Sequence, residues 1–421
     1  MRSLCTTVDA PTEAGRRRAG GMPRVLVTGS EYPAGLAALR ALDRAGFEAW
    51  AAVESRSSLG ARSRAAAGLV DVPDPRTAPD AFVSELAEAA KRLDAAAVLP
   101  GTEAALLAVA GREHAFPDSV AVGTAPKTAL RRATDKAALG LLSLRAGLDV
   151  PPTRIVASEG LPAGDELSFP AVVKPLRSEL LTQGLLRRFE AKRVESHAEL
   201  DRALRVLPDE VGLVQPYLEG RLISVNGVAF EGKLYAANQH VVHRVWPDRC
   251  GQAVYAETIP MIPQREEAVA SFIQQLDWSG VFNLQLIERG GRNYVIDLNP
   301  RFYVSLTLAA AAGLNLPAIW TSLLLGLPFD ARGYRAGVRF REEKGDLRAI
   351  LCEFRRGQLG AARDLLPRPR TVHALFSIRD PRPGLSIVAD LVAALRRRVK
   401  RRAPESPPTG PATAAREKTP A

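Results

Sequence analysis

The chain is poor in the residues that build covalent or metal-bound frameworks. Its 421 residues include three cysteines, five histidines and three methionines. Cys5, Cys250 and Cys352 are far apart and odd in number. This pattern predicts neither a disulfide framework nor a close-spaced metal site, and it favours a cytoplasmic protein.

Long apolar runs are also missing. No uninterrupted apolar stretch approaches the ~20 residues that a membrane helix needs, so we expect no membrane span. Residues 1–22 lack the apolar segment of a secretory signal and predict a disordered extension, with Met22 as an alternative translational start. The tail over 403–421, rich in Pro, Thr, Ala and Gly, predicts a second disordered segment.

The rest of the composition is that of a globular protein. Hydrophobic residues make up 46% of the chain and charged residues 24%, and a chain of 421 residues predicts two or three domains. Part of the net charge of +11 lies in the arginines at 16–18 and in the basic run at 396–402. Such runs can bind nucleic acid or anionic lipid, but we favour a solvated tail and expect no specific nucleic-acid partner.

The N-terminal part alternates between strand and helix patterns. Apolar runs predict strands at 24–29, 47–53 and 95–99, and helical spacing predicts helices at 34–45 and 80–93. This order predicts a small doubly wound α/β domain over 23–118. Its first turn offers only Gly29 and Gly35, which is weak support for a dinucleotide site.

The remaining patterns predict a second, larger domain. Helices are predicted at 136–145, 306–312, 318–325 and 387–399, and strands at 169–175, 212–223, 225–237, 281–288 and 293–298. Glu231–Gly232 marks a hairpin turn within the strand-rich segment 225–237. We expect this domain to cover 119–330 in two lobes, 119–210 and 211–330, followed by a helical extension over 331–402.

The strongest chemical signal is a set of oxygen donors on the hairpin 281–298. On paired antiparallel strands Gln285 and Asp297 can face each other, and Asn299 follows two residues later on the same face. Such oxygens are ligands that Mg²⁺ accepts, with phosphate and water completing its octahedron. A surface hairpin with ordinary polar residues is the alternative, and the surrounding apolar run disfavours it.

The segment from Gln285 to Ser305 resembles the final motif of the ATP-grasp superfamily. Relatives include biotin carboxylase, carbamoyl phosphate synthetase and D-alanine–D-alanine ligase, and the resemblance extends over about residues 24–330. It is closest to the carbamoyl-phosphate-synthetase-like ATP-grasp carboligases. The resemblance implies an α/β ATP-grasp fold, with an N-terminal pre-ATP-grasp domain and a C-terminal extension.

The resemblance also implies roles for individual residues. Lys136 and Lys174 match the two lysines that contact the nucleotide phosphates. The segment Gln215, Pro216, Tyr217 and Leu218 resembles the hinge that holds adenine.

In the final motif, Gln285, Asp297 and Asn299 match the metal ligands. Arg301, which follows them, is expected to grip the migrating phosphoryl group or the substrate carboxylate. Lys174 and Arg301 are therefore the predicted catalytic residues.

The resemblance therefore implies an ATP-dependent ligase that forms carbon–nitrogen bonds. It would use ATP with Mg²⁺ or Mn²⁺ to activate a carboxylate as an acyl phosphate, which an amine or another nucleophile then attacks. The expected partners are a small-molecule carboxylate and a nucleophile, and a homodimer is left open. We expect Arg244 and either His240 or His243 near the acceptor site, with a structural histidine as the alternative.

Two other functional classes remain open. A non-catalytic ATP-binding regulator of the same fold is favoured by Leu222, where many relatives carry a ribose-binding glutamate, and by the glycine-poor loop over 175–186. A nucleic-acid or membrane adaptor would act through the basic tail. Its binding would be sensitive to salt and would be lost with residues 396–421.

Overall fold

The computed structural model describes residues 22–386, apart from 159–166, 183–184, 248–249, 359, 361–365 and 367. The predicted disordered segments, the basic run and the predicted helix at 387–399 therefore lie outside the described residues. So does part of the loop over 175–186.

The N-terminal part forms a five-stranded parallel sheet with the order β3-β2-β1-β4-β5. Its strands are β1 (Arg24–Val27), β2 (Glu48–Val53), β3 (Gly68–Asp71), β4 (Ala97–Leu99) and β5 (Ala121–Val122). Its helices are α1 (Pro33–Arg44), α2 (Pro79–Arg92) and α3 (Glu103–Val109). The sheet reverses its winding direction beside β1, which is the topology of a doubly wound domain.

A smaller antiparallel sheet follows, with the order β10-β7-β11-β6. Its strands are β6 (Arg154–Ala157), β7 (Ala171–Lys174), β10 (Lys192–Val194) and β11 (Val211–Pro216). A separate hairpin is formed by β8 (Glu179–Thr182) and β9 (Leu185–Arg188). The helices here are α4 (Lys127–Thr134), α5 (Lys136–Arg145) and α6 (His197–Leu204).

The largest sheet has seven strands in the order β16-β15-β12-β13-β14-β17-β18. Its strands are β12 (Arg221–Phe230), β13 (Lys233–Trp246), β14 (Gln252–Ile259), β15 (Gly280–Arg289), β16 (Arg292–Asn299), β17 (Arg339–Arg341) and β18 (Thr371–His373). Its helices are α7 (Pro263–Leu276), α8 (Leu306–Ala312), α9 (Leu316–Leu325) and α10 (Glu343–Arg355).

The two faces of this sheet pack against different partners. One face buries Val225, Phe282 and Leu284 against α4, α5 and α7. The other face buries Val228 and Ala236 against α8, α9 and the N-terminal sheet. The sheet is therefore covered on both sides, and its second face meets the N-terminal part of the chain.

The largest sheet differs from its prediction in two places. The predicted strand over 212–223 is broken at 217–220, because β11 and β12 belong to different sheets. The second predicted strand, 225–237, spans the end of β12 and the beginning of β13. The turn predicted between them is confirmed, since Glu231 and Gly232 both adopt positive φ, as a tight hairpin turn requires.

The prediction of a helical extension over 331–402 is wrong where β17 and β18 form. These strands add to the edge of the largest sheet, and only α10 is a long helix among the described residues of that range. The segment after β18 then packs on the N-terminal part, where Asp380 accepts hydrogen bonds from buried Arg40 at 2.9 Å and from Ser63 at 2.6 Å. Three-residue strands carry too little periodicity to be recognised in a sequence.

Within the described ranges no single helix is long and apolar enough to cross a membrane. Helices α8 and α9 pass that test only as a pair, by length and composition, and they are bent by 87° at their junction.

Candidate functional site

A cavity of about 1330 Å³ lies where the three sheets meet. Its walls come from the first turns of α1 and α3, from the hairpin β8–β9, and from β7, β11, β12, β13, β15 and β16. All the residues predicted for the site line it: Lys136, Lys174, Gln215, Pro216, Tyr217, Leu218, Gln285, Asp297, Asn299 and Arg301. The fold thus brings residues that are more than 160 positions apart in the sequence, Lys136 and Arg301, into one cleft.

Lys174 ends β7 and crosses the cleft to the largest sheet. Its Nζ donates to the carbonyl oxygen of Ile296 at 2.8 Å, and only 8% of the residue is exposed. Ile296 is the extra residue of a β-bulge, because Gln285 pairs with Asp297 while the next residue pairs with Val295. Lys174 thus donates to the backbone at the bulge itself.

The charge of Lys174 responds to its surroundings. Burial lowers the pKa of Lys174 to about 8, while Asp297 opposes the shift and Lys136 adds to it. Since bound phosphate favours the protonated form, we expect the affinity for ATP to fall as the pH rises through about 8. Calorimetry at a series of pH values measures this fall.

The matched variant is Lys174→Met, which removes the titrating group. It should bind ATP weakly at every pH, with a flat profile over the same range. A wild-type affinity that is constant between pH 7 and 9 would contradict the phosphate-binding role of Lys174.

Lys136 is the first residue of α5. The side chain of Asp135 accepts from the N–H groups of Ala137 and Ala138, which caps the helix at this position. The Nζ of Lys136 donates to Ser178 at 2.8 Å and lies 3.6 Å from Asp297 Oδ1. The Asp-Lys pair therefore both begins the helix and supplies a second cation to the cleft.

The predicted metal ligands lie on neighbouring strands. Gln285 and Asp297 are directly paired across β15 and β16, as predicted. Among the described residues no group of three or more His, Cys, Asp or Glu side chains could hold a metal ion. One carboxylate with the amide oxygens of Gln285 and Asn299 suits Mg²⁺ that also binds phosphate oxygens, so the donor set fits.

Asn299 also begins a chain of buried hydrogen bonds across the sheet. Arg301 Nη2 donates to Asn299 Oδ1 at 3.1 Å, and Asn299 Nδ2 donates to Asn283 Oδ1 at 3.0 Å. Asn283 Nδ2 donates to Asn226 Oδ1 at 2.6 Å, and Asn226 Nδ2 lies 3.0 Å from His240 Nδ1. The three asparagines are register neighbours on β16, β15 and β12, which explains their contact.

The order of donors and acceptors along these hydrogen bonds determines which role the Nδ1 atom of His240 takes. Because Asn226 Oδ1 already accepts from Asn283, its Nδ2 must donate, and His240 Nδ1 accepts. Burial lowers the pKa of His240 to about 3, so the ring is neutral at physiological pH. His240 is thus the structural histidine, while His243 and Arg244 line the cavity. Arg244 pairs there with Asp346 and Glu353 of α10.

We expect the chain of asparagines to hold Arg301 in place. Asn283→Leu leaves buried polar atoms unpaired on both sides and should cost about 1–3 kcal/mol of unfolding free energy. It should also lower kcat more than it raises the KM for ATP. Chemical denaturation and steady-state kinetics measure the two effects.

Asn238 provides the matched control. It is fully buried on the neighbouring strand, and its side-chain atoms have no hydrogen-bond partner among the described residues. Asn238→Leu should therefore leave kcat unchanged and should not destabilise the fold. Equal effects of the two variants would contradict a positioning role for Asn283.

The predicted adenine hinge connects β11 to β12. Tyr217 N–H donates to the carbonyl of Pro170 at 2.9 Å, and Gln215 Nε2 donates to Thr153 at 2.8 Å. Since hydrogen-bonding directions alternate along a strand, the carbonyl of Pro216 is directed away from β7. The guanidinium of Arg193 stacks 4.5 Å above the Tyr217 ring. The segment is thus held at its ends, with Pro216 and Leu218 facing the cavity.

Sequence reasoning missed the charged residues that the N-terminal part and the β8–β9 hairpin contribute. Glu103 and Glu179 are both buried, with 6% and 4% of each residue exposed, and both line the cavity. Arg76 and Arg188 lie 3.6 and 3.8 Å from Glu179 Oε1. Burial raises the pKa of Glu103, and Arg301 opposes this shift. Single charged residues at the ends of short elements carry no local pattern that would have found them.

Comparison with known proteins agrees with this geometry. Residues 209–345 match the model of a family described as "ATP-grasp in the biosynthetic pathway with Ter operon". This range contains the hinge, the predicted metal ligands and Arg301.

About three quarters of the chain is also similar to solved structures. N5-carboxyaminoimidazole ribonucleotide synthetase from Thermus thermophilus is 18% identical, with a TM-score of 0.56 over 75% of this chain and 81% of that one. A nucleotide complex of biotin carboxylase from Campylobacter jejuni is 16% identical, with a TM-score of 0.55 over 75% and 74%. L-amino acid ligase from Bacillus licheniformis is 14% identical, with a TM-score of 0.51 over 73% and 75%.

Proposed function

From the ATP-grasp fold of this chain, which bears out the resemblance found in the sequence, we propose an ATP- and Mg²⁺-dependent ligase. It phosphorylates a carboxylate to an acyl phosphate and transfers the acyl group to an amine or another nucleophile. The convergence of Lys136, Lys174, Asp297 and Arg301 in one cavity carries this proposal. The structural relatives, which include an L-amino acid ligase and a synthetase, support it.

In this proposal the two lysines and the metal site hold the triphosphate. Lys136 and Lys174 both carry their charge towards Asp297, one from α5 and one from β7. Gln285, Asp297 and Asn299 would hold Mg²⁺, which supplies charge neutralisation for the phosphates. Phosphoryl transfer depends mainly on such alignment and charge, so a cleft with these groups suits the reaction.

Arg301 is placed to act on the reacting groups. Its Nη1 donates to the carbonyl of Phe302 at 2.8 Å and its Nη2 to Asn299, so the guanidinium is held in one orientation at the cavity wall. From there it can bind the carboxylate of the acid and the phosphoryl group that moves to it. Planar, paired donors suit both groups.

The proposal is tested by phosphate release from ATP across a panel of carboxylates, with and without amino-acid acceptors. We expect at least one carboxylate to stimulate release and an acceptor to increase it further. Binding of Mg²⁺-ATP by calorimetry serves as the parallel measurement. Tight binding without phosphate release under any of these conditions would contradict the ligase and favour a regulator.

A further inference from the structure

The inner wall of the cavity carries carboxylates as well as cations. Lys136 and Lys174 flank Asp297 on the side formed by α5, β7 and β16. Glu103, at the start of α3, and Glu179, at the start of β8, lie on the side nearest the N-terminal sheet. Arg76 and Arg188 also line the cavity and face one oxygen of Glu179, so the carboxylate oxygens that no cation contacts are the ones that need an explanation.

Glu103 is a buried carboxylate that makes no direct ion pair among the described residues, although Arg301 and Lys136 act on it through space. None of the described residues forms a hydrogen bond or an ion pair with its side chain, although only 6% of the residue is exposed to solvent. One carboxylate oxygen of Glu179 is in the same situation, since Oε2 is buried without a hydrogen-bond partner in the described structure. The other oxygen, Oε1, faces Arg76 and Arg188. Burying a carboxylate is costly unless a cation pairs with it.

Packing places Glu103 beside the arginine of the proposed active site. Gly101 lies against the loop that follows Arg301, because a Cβ at this glycine would come within 3.0 Å of Phe302 Cδ2. The charges of Arg301 and Glu179 both act on the pKa of Glu103, and all three residues line the cavity. The hydroxyl of Tyr303, buried and also without a partner among the described residues, lines the same cavity.

We propose that Glu103 and Glu179 bind the ammonium group of the acceptor, so that this substrate is a cationic primary amine, which gives one proton to these carboxylates before the free amine attacks the acyl phosphate. This inference rests on the proposed ligase function. The amine lies on the side of the N-terminal sheet, next to the acid that Arg301 holds. An ammonium donates three hydrogen bonds, which the free carboxylate oxygens and the Tyr303 hydroxyl can accept.

The test compares Glu103→Gln and Glu179→Gln with the wild type, and uses Glu85→Gln on the exposed face of α2 as the control. Calorimetry with Mg²⁺-ADP present measures binding of glycinamide, L-lysinamide and putrescine, and of N-acetylglycinamide as the uncharged probe. We expect at least one amine to bind, the uncharged probe not to bind, and Glu103→Gln to raise the Kd of the amine about tenfold or more. Absence of binding by every amine, or equal binding by the wild type and Glu103→Gln, would overturn the proposal.

A second measurement separates this inference from the ligase function. Hydroxylamine, which is uncharged near neutral pH, traps an acyl phosphate as a hydroxamate without needing an ammonium site. Glu103→Gln should keep the wild-type rate of carboxylate-dependent hydroxamate formation while the KM for the amine rises. An equal loss of hydroxamate would assign Glu103 to activation instead and overturn the amine site. Absence of hydroxamate in the wild type would contradict the ligase function. The amine site would still be tested in that case, because calorimetry measures amine binding directly.

The same residues could attract a divalent cation, and this alternative is an outcome of the test. Mg²⁺ is titrated without nucleotide into the wild type and into Glu103→Gln. We expect no Mg²⁺ binding that depends on Glu103 and no competition with the amines. Displacement of a bound amine by Mg²⁺ would identify a metal site and overturn the assignment to an amine.

Discussion

Arg301→Lys should bind Mg²⁺-ATP with nearly wild-type affinity and lose about 10³-fold or more in turnover. The guanidinium makes two directed hydrogen bonds, to Phe302 O and to Asn299 Oδ1, and it keeps further donors for the substrate. Lysine retains the positive charge but cannot hold two partners in one plane. Calorimetry measures the affinity for Mg²⁺-ATP, and the rate of phosphate release measures turnover.

Arg292→Lys is the matched control for this prediction. Arg292 lies at the other end of β16, is exposed, and pairs with Asp149. Its substitution should change neither nucleotide binding nor turnover, since surface ion pairs contribute little. Normal turnover in Arg301→Lys would show that the arginine has no part in the chemistry.

Asp297→Asn should raise the Mg²⁺ concentration needed for half-maximal ATP binding about tenfold or more. Asp297 is the one carboxylate of the predicted metal set, and Lys136 Nζ lies 3.6 Å from it. The substitution keeps the size of the side chain and removes only the charge. Titration of ATP at several fixed Mg²⁺ concentrations gives the measurement.

The same substitution should shift the pH dependence of ATP binding. Asp297 raises the pKa of Lys174 against the effect of burial, so its loss lowers that pKa below about 8. The fall in affinity should therefore begin at a lower pH than in the wild type. Asp277→Asn, at the C-terminus of α7 in a left-handed conformation that asparagine tolerates, is the control. An unchanged Mg²⁺ requirement in Asp297→Asn would mean that the metal, if bound, uses other ligands.

The parts of the site that sequence reasoning found are those with a periodic or paired signal. The alternation of the hairpin 281–298 predicted that Gln285 faces Asp297, and the register confirms it. The Asp-Lys pair at Asp135 and Lys136 marked a helix start because a capping side chain has a fixed spacing to its acceptors. The apolar run before Lys174 predicted a strand end, which the structure also has.

The parts that it missed depend on contacts between distant segments. Glu103 and Glu179 are 76 positions apart, and only the packing of the β8–β9 hairpin against the N-terminal part brings them to one cavity. This packing includes a hydrogen bond from Leu186 N–H to the carbonyl of Arg76. Likewise, the chain from Asn299 to His240 follows from the register of four strands, which hydrophobic periodicity alone does not determine.

Transfer of an oxygen atom from the acid to phosphate is the most direct test of the central claim. A carboxylate that stimulates phosphate release is labelled with ¹⁸O in its carboxyl group and supplied with ATP, Mg²⁺ and an amine. The account predicts that each phosphate released carries one ¹⁸O atom, since the acyl phosphate forms through a carboxylate oxygen and breaks between carbon and oxygen when the amine attacks. Arg301→Lys should release little phosphate of either kind. Phosphate that carries no label, with its new oxygen taken from water, would contradict carboxylate activation at this site.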